Sequence, residues 1–562
     1  MSKSFPPEIL FAYPNWKRKA LTFSYDDGVT DDRRLVSIFN KYNMKATFNL
    51  NGGRCGSNER FITLEEIKSL YEGHEIAGHS LNHPHMEQLS KQNQLQEISK
   101  DKSVLEDASS QIITGFAYPF GTYSEDTIEA LEENNIVYAR TIKSTFRYSL
   151  PVHFLKWHPT AHHSQNIAEL GKKYIPYQGS GGNLTILYIW GHSFEFGRNN
   201  SWDIIENFCS LMANKEDIWY VTNGDFVEYM TALQKVRTNI NSTLIENTSS
   251  INLYLYSSDN DRWMLAPGET LNTETKTIRK PQIISKITPA HQGSGKKESF
   301  LTYPNGLRKA LTFSYDDGRA DDDRLLAIFN NYGMKGTFNL NGSKINPVEG
   351  NEYIQKYTGH EISTHGFKHR TFRSVPPAKI LEDLYQDRLT LEKYTASIID
   401  GNALPNGTNS SFSCDIKNIL KSCGILYSRG TLSTLSFDLP IDFIPWEPTA
   451  HHQQQGDLCE IGTKFLDLEV NGAPKVCYIW GHSYEFGNQN NWEIMENFCN
   501  LMAKKQDIWY ATNGEIARYI LAARKLIWSQ DKSMVYNPTS TTIWYFINGT
   551  LKTIAPGRTS FQ

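Results

Sequence analysis

Leu21-Thr22-Phe23-Ser24-Tyr25-Asp26-Asp27-Gly28 is an apolar, β-prone run that stops at two adjacent carboxylates and a glycine. The same stretch returns 290 residues later as Leu311-Thr312-Phe313-Ser314-Tyr315-Asp316-Asp317-Gly318. Ionised acids crowded at the tip of a buried strand repel each other and resist desolvation. A divalent cation relieves both costs, which makes the position of further ligands decisive.

Other pairs keep the offset. Tyr188-Ile189-Trp190-Gly191-His192-Ser193 matches Tyr478-Ile479-Trp480-Gly481-His482-Ser483 at 290, and Pro159-Thr160-Ala161-His162-His163 matches Pro448-Thr449-Ala450-His451-His452 at 289. So long a period marks a duplicated domain, not a solenoid of short repeats. At 562 residues the chain has room for both copies. Within the first copy a helical pattern over 32–39 is followed by a strand over 45–50, a helix over 64–71 and a strand over 75–78. This alternation predicts a parallel α/β sheet, closed or open, with its site at the C-terminal strand ends. Each copy ends in a tail where Leu253-Tyr254-Leu255-Tyr256 parallels Trp544-Tyr545-Phe546. Their aromatics read as strand packing in preference to a sugar platform. The expected domains are 1–235 and 300–525, with small β appendages over 236–275 and 526–562. A polar, Gly/Pro/Lys-containing linker is expected over 276–299.

Composition narrows the class. With 12% aromatic and 21% charged residues and a net charge of −4, the chain reads as folded, and the absence of a basic stripe argues against a nucleic-acid partner. No apolar run is long enough for a transmembrane segment. Met1-Ser2-Lys3-Ser4-Phe5-Pro6-Pro7 lacks the apolar core of a secretory signal. As written the chain reads as cytoplasmic, or as secreted after loss of a signal. Seven cysteines at no metal-like spacing are expected as free thiols, with Cys209 and Cys499 at equivalent places.

Gly78-His79-Ser80-Leu81-Asn82-His83 and Thr364-His365-Gly366-Phe367-Lys368-His369 both hold two histidines at i and i+4. On a helical turn this spacing puts two imidazoles on one face, as a divalent metal requires. A lone pair would read as surface histidines, but the spacing persists in both copies while the residues between differ. Two histidines and one carboxylate make an open metal site with room for water. Asp26 or Asp27 would complete it, leaving the other free to accept a proton.

These motifs resemble those of the NodB-like polysaccharide deacetylases, carbohydrate esterase family 4, over most of each copy up to the β-rich tail. The resemblance implies a tandem pair of distorted (β/α) barrels and metal-dependent hydrolysis of acetyl groups, N- or O-linked, from an oligo- or polysaccharide. It also implies roles. Asp26 would be the general base, Asp27, His79 and His83 the metal ligands, and His192 the general acid. Their counterparts are Asp316, then Asp317, His365 and His369, then His482. Zinc is the expected ion, and cobalt, nickel or manganese suit the same donors. Hydrolysis of a non-sugar amide, or glycan binding with one inactive copy, are the alternatives.

The family's third motif, Arg-x-Pro-Tyr/Phe-Gly, reads here as Ala117-Tyr118-Pro119-Phe120-Gly121 and Ala403-Leu404-Pro405-Asn406-Gly407. Its arginine is absent from both copies. Arg140 and Arg429 are candidates to supply that charge, with a surface arginine as the equal competitor. Phe120 and Asn406 are expected on the loop beside the oxyanion hole. Trp157 and Trp446 are candidates for an apolar wall against the acetyl methyl or sugar face, with core packing as the rival. The adjacent histidines 162–163 and 451–452 could line the cleft or hydrogen-bond a substrate, and since neighbours do not share a face they read in preference as loop structure. Glu195 and Glu485 read either as partners of His192 and His482 or as helix caps.

Overall fold

A computed structural model describes residues 9–180, 183–281, 299–372, 375–407, 412–454 and 457–561. The strand Lys19–Asp26 is buried along its whole length and lies at the centre of a parallel sheet. On one side run Ala46–Leu50, Glu75–Gly78, Gly115–Ala117 and Tyr138–Arg140 in that order. On the other run Thr185–His192 and Ala161–His162, while Ile218–Tyr220 pairs with the first residues of the central strand.

Closure is made by one short stretch of chain. Trp157 bridges in parallel to Arg140, with its N–H donated to Ala139 O at 3.0 Å. Four residues later Ala161 and His162 pair with Ile189 and Trp190. The far edge of the sheet is thereby brought back to its beginning, as a distorted (β/α) barrel. The second copy repeats the order around Lys309–Asp316, with Trp446 bridging to Arg429. Two tandem barrels of the expected type therefore fill the chain.

Strand alternation divides the side chains into two cores. Leu21, Phe23 and Tyr25 join Leu35, Phe39, Phe48 and Phe208 under the outer helices. Ala20 lies on the opposite face with Tyr138, Trp157, Tyr188 and Phe226. Thr22 and Ser24 share that inner face, where Thr22 Oγ1 donates to Asn223 Oδ1 at 2.8 Å. Period-2 patterning thus carries Asp26 into the barrel mouth on the inner face. The helices Asp32–Lys41 and Trp202–Met212 cover the outer face with amphipathic stripes.

The appendages are antiparallel and draw on both ends of each copy. Ile9–Ala12, ahead of the barrel, pairs with Leu253–Ser257, which pairs with Arg262–Leu265. Phe300–Thr302 does the same with Ile543–Ile547. Thr277–Arg279, inside the stretch expected as linker, instead pairs with Thr270–Asn272. A Thr-Ile-Arg run supplies the β-branched residues that such an edge favours. Residues 282–298, the bulk of that linker, lie outside the described residues.

The two copies meet around a local two-fold relation. Ser249 bridges Thr539, Ser250 N–H donates to Pro538 O at 3.2 Å, and Ser540 N–H to Thr248 O at 2.9 Å. Further out, Ile240 N–H donates to Glu392 Oε2 and Gln530 N–H to Glu106 Oε2, each at 2.7 Å. Each appendage thus touches the long helix of the other barrel, Lys91–Ser109 or Pro377–Thr395. All seven cysteines are free. No helix among the described residues is long and apolar enough to cross a membrane.

Candidate metal and acid–base centre

Register builds the first side of the site. Asp26 is paired across the sheet with Asn49 and with His192, so three functional groups stand level at adjacent strand ends. Asn49 Nδ2 donates to Asp26 Oδ1 at 2.8 Å. The other carboxylate oxygen receives Arg140 Nη2, from a strand four places away along the sheet. Only a curled sheet allows that contact. Arg140 is fully buried and lies 4.4 Å from the Trp190 ring, a cation–π support. Burial raises the affinity of Asp26 for a proton. Arg140, His79, His192 and Asn49 together outweigh it and hold the carboxyl below its usual range.

Asp27 would leave an ideal strand on the opposite face. Its φ of 82° turns the chain, and its N–H is fixed to Asn49 O at 3.0 Å. Positive φ on a non-glycine is a strained state kept where the surroundings over-determine it. The result places Asp27 Oδ1 3.8 Å from His79 Nε2 and 3.7 Å from His83 Nε2. This oxygen is buried and has no hydrogen-bond partner. His79 Nδ1 faces Ala117 O at 2.8 Å, which assigns its proton to Nδ1 and turns the Nε2 lone pair inward. Burial lowers the pKa of both histidines, His83 to about 4, and so favours the neutral form that ligates metal. A partnerless buried carboxylate oxygen facing two neutral imidazoles fits a divalent ion. Asp27, His79 and His83 are one of the described groups able to hold one, and Asp317, His365 and His369 are another.

The histidine loop corrects one expectation. Residues 79–83 form no helical turn. His79 continues the strand Glu75–Gly78, with its N–H on Leu50 O, and the chain then doubles back through Ser80 at φ 63° and His83 at φ 59°. The i,i+4 spacing reflects two left-handed residues, and the rings still lie 4.7 Å apart.

The acid side is built on Glu195. It stands in the first turn of helix Ser193–Arg198, with His192 Nδ1 at 3.2 Å, His162 Nε2 at 3.2 Å and His163 Nε2 at 2.8 Å. The adjacent histidines therefore converge on one carboxylate despite the expectation that they point to different faces, because the short strand ends at His162 and His163 leaves the pleat. His192 Nε2 faces Asp26 Oδ2 at 4.0 Å. Burial lowers the pKa of His192, but Glu195, Asp26 and Asp27 reverse the shift and raise it.

Copy two repeats this frame with its own substitutions. Asn339 Nδ2 and Arg429 Nη2 hold Asp316. His365 Nε2 is 3.6 Å from Asp316 Oδ2, and His369 Nε2 3.5 Å from Asp317 Oδ1. His482 Nε2 is 3.9 Å from Asp316 Oδ2, with Glu485 3.3 Å from its Nδ1. Asp317 Oδ1 differs from its counterpart, since Lys344 Nζ approaches it to 3.1 Å.

Phe120 sits at the mouth, 47% exposed, stacked on His85 at 3.9 Å and edge-on to His83 at 4.5 Å. Its φ is 59°, and that of Asn406 is 51°. Trp157 and Trp446 are buried at 1% exposure. Trp157 packs on Tyr188 and Phe226, and Trp446 on Tyr478 and Phe443. Neither reaches the cleft, because the barrel-closing bridge turns its ring into the core; the expectation of an apolar substrate wall is corrected. Asp101 was missed. From the middle of helix Lys91–Ser109 it accepts N–H bonds from Gly52 at 2.6 Å and His79 at 3.0 Å, and burial pushes its carboxyl up to about 8. Asp387 accepts the same pair of bonds from Gly342 and His365. Its recurrence at the same step of the long helix was the available signal.

Comparison with known proteins gives matches in both halves. The polysaccharide deacetylase family model matches residues 14–139 and again 300–428. YxkH of Bacillus subtilis is 31% identical over 117 residues, which cover 20% of this chain and 42% of that protein. Peptidoglycan-N-acetylglucosamine deacetylase PgdA of Listeria monocytogenes is 30% identical over 127 residues, 22% of this chain and 26% of the relative. The chain thus spans less than half the length of these relatives. Among solved structures, Streptococcus pyogenes deacetylase PplD in complex with acetate is 28% identical with a TM-score of 0.21, covering 22% of this chain and 55% of that one.

Proposed function

We propose that this chain, both copies of which belong to the polysaccharide deacetylase family, is a tandem metal-dependent hydrolase that releases acetate from an acetylated oligo- or polysaccharide. The observation that carries the reading is the buried, partnerless Asp27 Oδ1 facing His79 Nε2 and His83 Nε2. Asp27, His79 and His83 would hold the ion in copy one, and Asp317, His365 and His369 in copy two. Zinc is our choice, with cobalt, nickel or manganese compatible with the donors. Once bound, such an ion supplies Lewis acidity towards the acetyl carbonyl and lowers the pKa of water from 15.7 to roughly 7.

The chain's own groups would do the rest. Asp26, kept ionised by Arg140, takes a proton from the attacking water at Oδ2, the oxygen that faces His79 and His192. Water oxygen bonds to the acetyl carbon and the C–N or C–O bond breaks. His192, protonated and oriented by Glu195, delivers its Nε2 proton to the departing amine or alkoxide. Arg429, Asp316, His482 and Glu485 would do the same in copy two. Phe120, exposed beside His83, and Asn406, exposed at the equivalent position of copy two, are our candidates for shaping the sugar subsite.

The test is acetate release from a panel of acetylated glycans and non-sugar amides, with Asp27→Ala and Asp317→Ala singly and together. We expect the double variant to stay folded and lose turnover by about 10³-fold or more, the combined scale of the positioned acid, base and ion. Wild-type turnover in that variant would overturn the reading. Preference for non-sugar amides would keep the chemistry and change the substrate.

A further inference from the structure

We propose that Lys344 is a built-in competitor for the cation of copy two, so that the chain takes up metal in two unequal steps. This rests on the metal reading above and concerns what distinguishes the two sites. The ligand oxygens themselves differ. Asp27 Oδ1 is buried with no partner, whereas Lys344 Nζ is 3.1 Å from Asp317 Oδ1.

Local backbone explains the difference. Lys344 closes a short turn, Gly342–Lys344, held by Ser343 N–H on Phe367 O at 3.2 Å and Lys344 N–H on Asn341 O at 3.0 Å. At the equivalent place in copy one stands Arg54, 290 residues earlier. Its guanidinium donates to Asn82 O at 3.3 Å and lies over the Phe61 ring at 5.9 Å. Among the described residues Arg54 makes no ion pair with Asp27. A planar guanidinium is thus held on a carbonyl and a ring, while a flexible ammonium reaches the carboxylate.

The surroundings act in the same direction. In copy one the Phe120 ring covers His83, whose side chain is 13% exposed. In copy two Asn406 replaces that ring and donates to Thr371 Oγ1, and the His369 side chain is 31% exposed. A divalent ion entering copy two must displace an ammonium from its own ligand and then stand beside a like charge. Lys344 is 39% exposed, so solvent screens the repulsion and a moderate penalty follows.

Zinc titration of the full, metal-stripped chain, by calorimetry with a competing chelator, reads this directly. We expect two sites of different affinity. Asp27→Ala should remove the tighter one. Lys344→Met should strengthen the weaker one by roughly tenfold, the scale of one screened unit charge a few ångströms away, and leave the tighter one unmoved. Lys344→Gln, which keeps a polar tip, should act in the same direction and guards against a packing effect of methionine. Two equal sites in the wild type, or a weaker site unmoved by both substitutions, would overturn the proposal. Binding of no zinc at either site would overturn the metal reading itself, and is distinguishable because it affects both copies alike.

Discussion

Asp26 and Asp27 are neighbours in sequence with opposite assignments in space. Asp26 is gripped on both oxygens, by Asn49 and Arg140, while Asp27 keeps one buried oxygen without a partner. A group that accepts a proton is served by fixed donors that keep it ionised; a group that binds a cation is served by an open lone pair. His192 is governed at the same scale. Glu195, Asp26 and Asp27 raise its pKa against the effect of burial. As the proposed acid, His192 must carry its proton, so activity is expected to fall as pH rises through that raised pKa. In Glu195→Gln a supporting charge is lost and the histidine pKa drops. The alkaline limb of kcat/KM is then expected at lower pH than in the wild type, and a limb that stays in place would show that Glu195 does not act on His192.

Among the elements, the long helix Lys91–Ser109 is more than a cover for the sheet. Asp101 reaches from it to two backbone N–H groups, of Gly52 and His79, that open the loops carrying the site. Asp101→Ala would leave the buried Gly52 N–H without a partner, at a cost of about 1–3 kcal/mol, while the His79 N–H keeps Leu50 O. It would also remove one of the two acceptors that hold the His79 N–H, and support of this kind is worth about 10–100-fold in metal affinity. Denaturant unfolding and zinc titration of Asp101→Ala should therefore both shift. A change in stability with unaltered zinc affinity would reduce Asp101 to a structural role. The strands illustrate the complementary rule. The period of two that sends Leu21, Phe23 and Tyr25 to the outer helices delivers Asp26 to the inner face. Asp27 escapes that rule only through its positive φ.

In the whole molecule, the duplication produces a pair of barrels that brace each other. The Ser249–Thr539 bridge lies between equivalent residues, and each appendage contacts the other copy's long helix. Glu228 extends the contact, accepting from Tyr536 Oη and pairing with Arg558 of the second appendage. These links couple the halves, so a single thermal transition is expected of the wild type. Glu228→Ala removes two of them at once without touching either core. Losing the buried tyrosine bond costs about 1–3 kcal/mol, and calorimetry should show a lower midpoint with separation of the two halves. An unchanged single peak would mean that the remaining contacts suffice.

Much of this was legible before any coordinates. The 290-residue repeat, the alternation of strand and helix, the Asp-Asp-Gly tips and the paired histidines are local patterns that survive in one dimension, because strand period and motif spacing are properties of adjacent residues. What surrounds them was not. Arg140 meets Asp26 only because the sheet curls through four strands. Three histidines gather on Glu195 because two strand ends and a helix start coincide. Trp157 turns into the core because its backbone closes the barrel. The sequence by itself determined which residues are candidates for the chemistry. Tertiary structure decided which charges those residues face, since contacts between distant segments depend on sheet curvature and loop conformation, and neither is encoded in spacing along the chain.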